Sequence, residues 1–246
     1  GKLVYGVSSG DKDSLFRLDP ESGILKTIGH LDYEKEKEYS LNITVFDLGH
    51  PQKSSTSYLT VVIMDNNDNA PIFQQPMASL KINENTPNGT AIFKSIATDL
   101  DSSENAQIAY SLMTDTDVFI VHPTTGVLYI NSPPDREKMD KYEIRIRASD
   151  HGINKNTIET LHAESVVLIH IEDVNDNSPR FLKNFLTVNV KEDMPVGCVI
   201  AIIEATDEDL GVKGEVIYST TSNQSFAVDH LSGVMRLTKS LDYEGK

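Results

Sequence analysis

Asp173-Val174-Asn175-Asp176-Asn177-Ser178-Pro179 is the second copy of a motif whose first copy is Asp65-Asn66-Asn67-Asp68-Asn69-Ala70-Pro71. Each copy ends an apolar alternating run, over 59–64 and 166–171, so each sits where a strand stops. The proline that follows blocks further ladder pairing, and the whole reads as a linker between folded units. Asp and Asn at this density also supply the hard oxygen ligands that Ca²⁺ takes.

Working outward, the step from Asp65 to Asp173 sets a period, and other landmarks keep it or nearly so. Asp99-Leu100-Asp101 recurs at the same step as Asp207-Glu208-Asp209. Asp32-Tyr33-Glu34 recurs, at slightly shorter steps, as Asp135-Arg136-Glu137 and as Asp242-Tyr243-Glu244. Gly23-Ile24-Leu25 recurs as Gly126-Val127-Leu128 and Gly233-Val234-Met235. A unit of this length is a domain rather than a solenoid turn. The expected division is 1–69, 70–177 and 178–246.

In the middle unit, short apolar or alternating runs predict seven strands, over 78–82, 91–97, 108–113, 118–121, 127–130, 142–148 and 166–171. Turn signals such as Pro87-Asn88-Gly89 and Asp150-His151-Gly152 punctuate them, and no segment holds a helical period. The fold class is therefore all-β: tandem seven-stranded Greek-key β-sandwiches of immunoglobulin-like architecture. Gly1 to Val7 aligns with the third strand of the middle unit, so the first unit is expected to be partial, without its opening strands. The third unit ends just after Asp242-Tyr243-Glu244 and is expected to lack its last two strands. One loop differs: the stretch from Asp150 to Asp173 is longer than that from Asp47 to Asp65, the excess falling in the polar stretch 153–165.

The net charge is −15, from 22 basic and 37 acidic residues. That argues against nucleic acid, whose phosphates need a basic footprint, and suits a cation ligand. A single cysteine, Cys198, excludes an intrachain disulfide framework and reads as a packed strand residue. An extracellular module without disulfides needs another staple, for which metal serves. The longest apolar run, 196–203, falls far short of the roughly 20 residues that span a bilayer. Sequons begin at Asn42, Asn88 and Asn223. Asn42 alternates with inward Leu41 and Ile43, so a glycan there would face solvent.

Around the second linker, end-to-end stacking of two sandwiches would gather Glu84, Asp135, Glu137, Asp173, Asp176, Asp207 and Asp209, seven carboxylates in all. At a few ångström and intermediate dielectric such charges repel by several kcal/mol, so the cluster calls for cations. Other motifs fail. The linker opens like an EF-hand loop, but Ala70 and Pro76, or Ser178 and Asn184, stand where Gly and Glu are required. Gly6-Val7-Ser8-Ser9-Gly10 lacks the strand-turn-helix context of a nucleophile elbow. The seven histidines form no close pair that would hold zinc.

Asn83-Glu84-Asn85-Thr86-Pro87, Asp135-Arg136-Glu137, Asp173 to Asn177 and Asp207-Glu208-Asp209 together resemble the calcium-binding signature of cadherin extracellular repeats, and the resemblance covers essentially the whole chain. It implies Ca²⁺ ions between successive repeats. At the second junction it implies Glu84, Asp135, Glu137, Asp173 and Asp176 as ligands of the upper ions, with the carbonyl of Val174. Asp207, Asp209, Asn175 and the carbonyl of Asn177 would hold the lower ion, with Lys213 contributing through its backbone where Asn is usual. At the first junction the matching set is Asp32, Glu34, Asp65, Asn67, Asp68, Asn69, Asp99, Asp101 and Asp150, plus carbonyls of Asn66 and Asn105. Tyr33, in the place of the usual Arg between two acids, is not expected to be a ligand.

The resemblance further implies a non-enzymatic segment of a membrane-anchored protein, on the extracellular side of the plasma membrane. It would serve cell–cell adhesion or recognition with another cadherin-type ectodomain on the same or an opposing cell. No Trp is present to anchor a strand swap, which is similar to interior repeats of Fat-like or protocadherin-like proteins. Two alternatives are a non-adhesive rigid spacer of a long ectodomain and a Ca²⁺-stabilised accessory module of a secreted enzyme.

Overall fold

The computed structural model describes residues 2–150, 160–221 and 225–244. The first unit holds β1 (Leu3–Ser9), β2 (Phe16–Leu18), β3 (Leu25–Thr27), β4 (Glu38–Asp47) and β5 (Ser54–Val62). The middle unit holds β6 (Ile72–Phe73), β7 (Met77–Asn83), β8 (Ala91–Lys94), β9 (Ala97–Thr98), β10 (Ile108–Leu112), β11 (Phe119–Val121), β12 (Val127–Ile130), β13 (Lys141–Asp150) and β14 (His162–Glu172). The third holds β15 (Arg180–Phe181), β16 (Val199–Ile202), β17 (Ala205–Thr206), β18 (Phe226–Val228) and β19 (Val234–Leu237).

Period-two alternation makes the sandwich. Along β13, Ile144, Ile146 and Ala148 point inward and are fully buried, while Glu143, Arg145 and Arg147 point out. Val167 and Ile169 on β14 do the same. These face Phe119, Leu128 and Ile130 of the sheet ordered β11-β12-β8, across from the sheet ordered β10-β13-β14-β7. Each such side chain contributes roughly 1.5–3 kcal/mol by leaving water. All seven expected strands of the middle unit are present, and the all-β class holds.

Three details differ from the sequence reading. The 91–97 run is two strands, because Ser95-Ile96 breaks it: β8 pairs with β12 and β9 pairs with β6. At that break the Tyr110 hydroxyl accepts a hydrogen bond from the Ala97 amide at 3.0 Å, and one repeat later Tyr218 does the same for Ala205 at 2.9 Å. Cys198 lies in the turn before β16, half-buried, rather than in a strand. The polar stretch after Asp150 is only partly loop: residues from His162 onward pair with β13. Residues 151–159 lie outside the described residues.

The recurrent glycine of the β11–β12 turn has a physical cause. Gly126 sits at φ +67°, and a Cβ there would lie 2.2 Å from the Ser95 carbonyl oxygen. Gly233 repeats this against Ile203 at 2.1 Å. Only glycine fits a left-handed residue pressed onto backbone.

In the first unit β1-β4-β5 repeats the order β10-β13-β14. No described strand lies beyond β5, and Leu59, which pairs with Leu41 as Val167 pairs with Ile144, is 40% exposed where Val167 is buried. In the third unit residues 186–190, which align with β7, form no strand, since no described strand offers them an edge. Among the described residues no helix is long and apolar enough to cross a membrane.

Candidate metal centres

The second linker leaves β14 directly, and the first follows β5 after Ile63 and Met64. β7 pairs parallel with β14, and the register ends at Glu172 opposite Asn83. Both strands therefore finish at the same end, and the next residue of each, Glu84 and Asp173, enters the second junction. Glu84 is 2% exposed; its Oε1 accepts from the Val174 amide at 2.6 Å and its Oε2 from the Arg136 amide at 2.9 Å.

At each junction three carboxylates converge. Oxygens of Glu34, Asp65 and Asp101 all lie within 4.8 Å of one another, and so do those of Glu84, Glu137 and Asp173. An ion taking oxygens at about 2.3–2.6 Å spans that separation. The donor sets are all oxygen, which suits Ca²⁺ rather than zinc. At the first junction Asp65 Oδ1, Asn67 Oδ1 and Asp99 Oδ2 are buried without a hydrogen-bond partner among the described residues. Buried oxygens left unsatisfied are costly unless a cation meets them, so the residues fit the metal.

The downstream unit is tied to each linker in the same way. Asn69 Nδ2 donates to Asp101 Oδ1 at 2.7 Å, and Asn177 Nδ2 to Asp209 Oδ1 at 2.9 Å. Asp99 and Asp207 in turn accept from the amides of Asp101 and Asp209, each at 3.0 Å. The Ser102 amide donates to Asp65 and the Leu210 amide to Asp173. Burial pushes the Asp99 carboxyl above the usual range, helped by the charges of Asp101 and Asp150. Burial does the same for Glu34, with Asp68, Asp101 and Asp65 adding to it. Asp173 goes the other way: burial raises it, but hydrogen bonds from Leu210, Lys213 and Arg136 outweigh that and hold it low.

Other expected residues take different places. Asp32 and Asp135 cap turns instead of joining the three-carboxylate groups. Asp32 accepts from the Lys35 amide, and Asp135 from the Lys138 amide and, at 2.8 Å, its ammonium. Asp68 and Asp176 are exposed and accept from Asn69 and Asn177; Asp176 also accepts from Asn85 Nδ2. Asn67 is 1% exposed but Asn175 is exposed; Asp150 is 3% exposed, and its charge acts on Asp99 at the first junction. Asn66 is half-buried. Asn105 and Lys213 reach the linkers with their side chains: Asn105 Nδ2 to Asp65 Oδ2 at 2.7 Å, Lys213 Nζ to the Asp173 carbonyl at 2.6 Å. Among the sequons, Asn88 is exposed, Asn42 is half-buried with its Nδ2 donating to Ser9 Oγ at 2.7 Å, and Asn223 lies outside the described residues.

Three contributions escaped the sequence. Tyr33 and Arg136, between the acids, both cross their junctions: Tyr33 Oη meets Ser102 Oγ at 3.2 Å, and an Arg136 Nη donates to the Glu208 carbonyl at 2.7 Å. Glu192, Asp242 and Glu244 form a further, exposed carboxylate trio. Its signal was present, since Glu192 stands one full period after Glu84 and Asp242 begins the third copy of the Asp-x-Glu motif.

The profile of the cadherin domain matches residues 1–64, 78–172 and 186–246. The chain is 44% identical to the Fat-like cadherin-related tumor suppressor homolog of Drosophila melanogaster and 43% identical to human Protocadherin Fat 1, over its full length in both cases. It spans about 5% of the length of each of these relatives. A crystal structure of mouse Cadherin-23 EC22-24 superposes with TM-score 0.91 at 30% identity, covering 99% of this chain and 78% of that one. Human CDH23 EC21-23 gives TM-score 0.78 at 27% identity, over 99% and 81%.

Proposed function

The chain belongs to the cadherin family, and from that premise we propose that its two linkers are calcium junctions that stiffen an extracellular segment serving cell–cell adhesion or recognition. Its units run 1–69, 70–177 and 178–246, with a junction around each of residues 65–69 and 173–177. The partner is another cadherin-type ectodomain, on the same or an opposing cell, and the parent protein is anchored in the plasma membrane. The segment works by shape and contact, not catalysis.

One observation carries the reading: at each junction, oxygens from one unit, the linker and, at the first, the next unit come within one ion's reach. When Ca²⁺ binds, it supplies the positive charge these oxygens lack. The chain's own groups do the rest. Glu84 holds the linker amide of Val174, Asn69 and Asn177 orient the aspartates of the following unit, and Tyr33 and Arg136 brace the two sides. A rigid array presents a distant surface with little ordering entropy left to lose on binding. Small-angle scattering tests this. In millimolar Ca²⁺ the chain should be more extended and less variable than in excess chelator, and superimposable profiles would overturn the reading.

A further inference from the structure

The two junctions carry equal numbers of expected carboxylates but unequal counter-charge. Positions 105 and 213 stand one repeat apart, and both side chains reach the first linker aspartate. At the first junction the contact is the neutral amide of Asn105 on Asp65. At the second it is the ammonium of Lys213, 2.6 Å from the Asp173 carbonyl and 3.3 Å from its Oδ2. Position 33 is Tyr, while its counterpart Arg136 places Nε 2.7 Å from Asp173 Oδ1. Asp173 thus faces two full positive charges, its side chain only 10% exposed; Asp65 makes no such ion pair among the described residues.

An arginine between the acids is part of the family pattern, so the departure lies at 213. We propose that Lys213 is a tethered counter-ion of the second junction, which therefore binds Ca²⁺ more weakly than the first and depends on it less for closure. The inference rests on the junctions being calcium sites at all. A divalent ion that takes Asp173 Oδ2 must displace or approach the ammonium, and either cost lowers affinity. Without Ca²⁺ the same ammonium relieves the repulsion that keeps an all-acid junction apart. As calcium rises the first junction loads before the second, so the chain stiffens in two steps.

Calcium titration of the full chain, followed by the side-chain amide NMR signals of Asn69 and Asn177, reads each junction separately. The Asn69 signal should reach its midpoint at a calcium concentration at least about threefold lower than Asn177, on the scale of a partly screened ion pair. Lys213→Asn, or Lys213→Gln should the first variant fold poorly, should lower the Asn177 midpoint and leave Asn69 in place. Asn105→Lys should raise the Asn69 midpoint. If both signals respond to calcium but Lys213→Asn and Lys213→Gln leave the Asn177 midpoint unmoved, this inference falls while the calcium reading stands. If neither signal responds, both fall.

Discussion

Asn177 Nδ2 donates to Asp209 Oδ1 at 2.9 Å, so the linker holds the following unit through a side chain as well as through its backbone. Asn177→Ala keeps the carbonyl proposed as a ligand but frees Asp209. It should cost about 1.5–3 kcal/mol of coupling between linker and third unit, the worth of a hydrogen bond to a charged group. Asp176→Ala removes a proposed ligand outright. Calorimetric calcium titration should show the larger affinity loss for Asp176→Ala, and equal losses would count against the ligand assignment.

Calcium should raise the melting temperature and a chelator lower it. With dissociation constants of about 10⁻⁴–10⁻³ M for extracellular modules, about 10 mM Ca²⁺ stabilises the native state by roughly 1.4–2.7 kcal/mol per site. Differential scanning calorimetry checks this, and a transition that stays put when chelator is exchanged for excess Ca²⁺ rules it out.

In chelator Asp99 and Asp173 should make contributions to stability that respond to pH in opposite directions. Asp99 titrates above its ordinary 3.8, so its contribution to stability is full below that value and is lost as pH rises through its folded pKa. Asp173 titrates below 3.8, so its contribution is present above that value and is lost as pH falls through its folded pKa. Carboxyl-carbon NMR of the metal-free chain should find Asp99 titrating above Asp173. The reverse order would show that the counter-charge around Asp173 is not what separates them.

The middle unit should be the stable one. Ile144→Ala removes a fully buried side chain and should cost about 2–5 kcal/mol. Leu59→Ala, at a site 40% exposed, should cost less than about 1 kcal/mol. Urea melts that gave the two variants the same loss would mean that β5 is better covered than its exposure indicates.

Much of this was legible before any coordinate. The alternation of Tyr142, Ile144, Ile146 and Ala148, and the return of the linker motif of Asp65 at Asp173, carry the fold and the position of both junctions. What was not legible depends on neighbours distant in sequence. β6 and β9 are too short to leave a period, and exist because Ile72 lies opposite Thr98. The braces formed by Tyr33 and Arg136 need the next unit's Ser102 and Glu208 beside them. The effect of Asp150 on Asp99 needs Asp150 folded back to the first junction from half a unit further along the chain. Side-chain reach across a junction is a property of two units, and the periodicity of either one is silent on it.

The parallel register of β7 with β14 has a mechanical consequence. Tension entering from the first linker pulls on β7 at its start, and tension leaving through the second linker pulls on β14 at its end. The two strands are thus loaded lengthwise against each other. Their residue pairs, from Met77 with Val166 to Asn83 with Glu172, share the load and must slip together. Peeling would break them one at a time and needs far less force. The middle unit is therefore strung so that a pull along the chain meets it along its strongest direction.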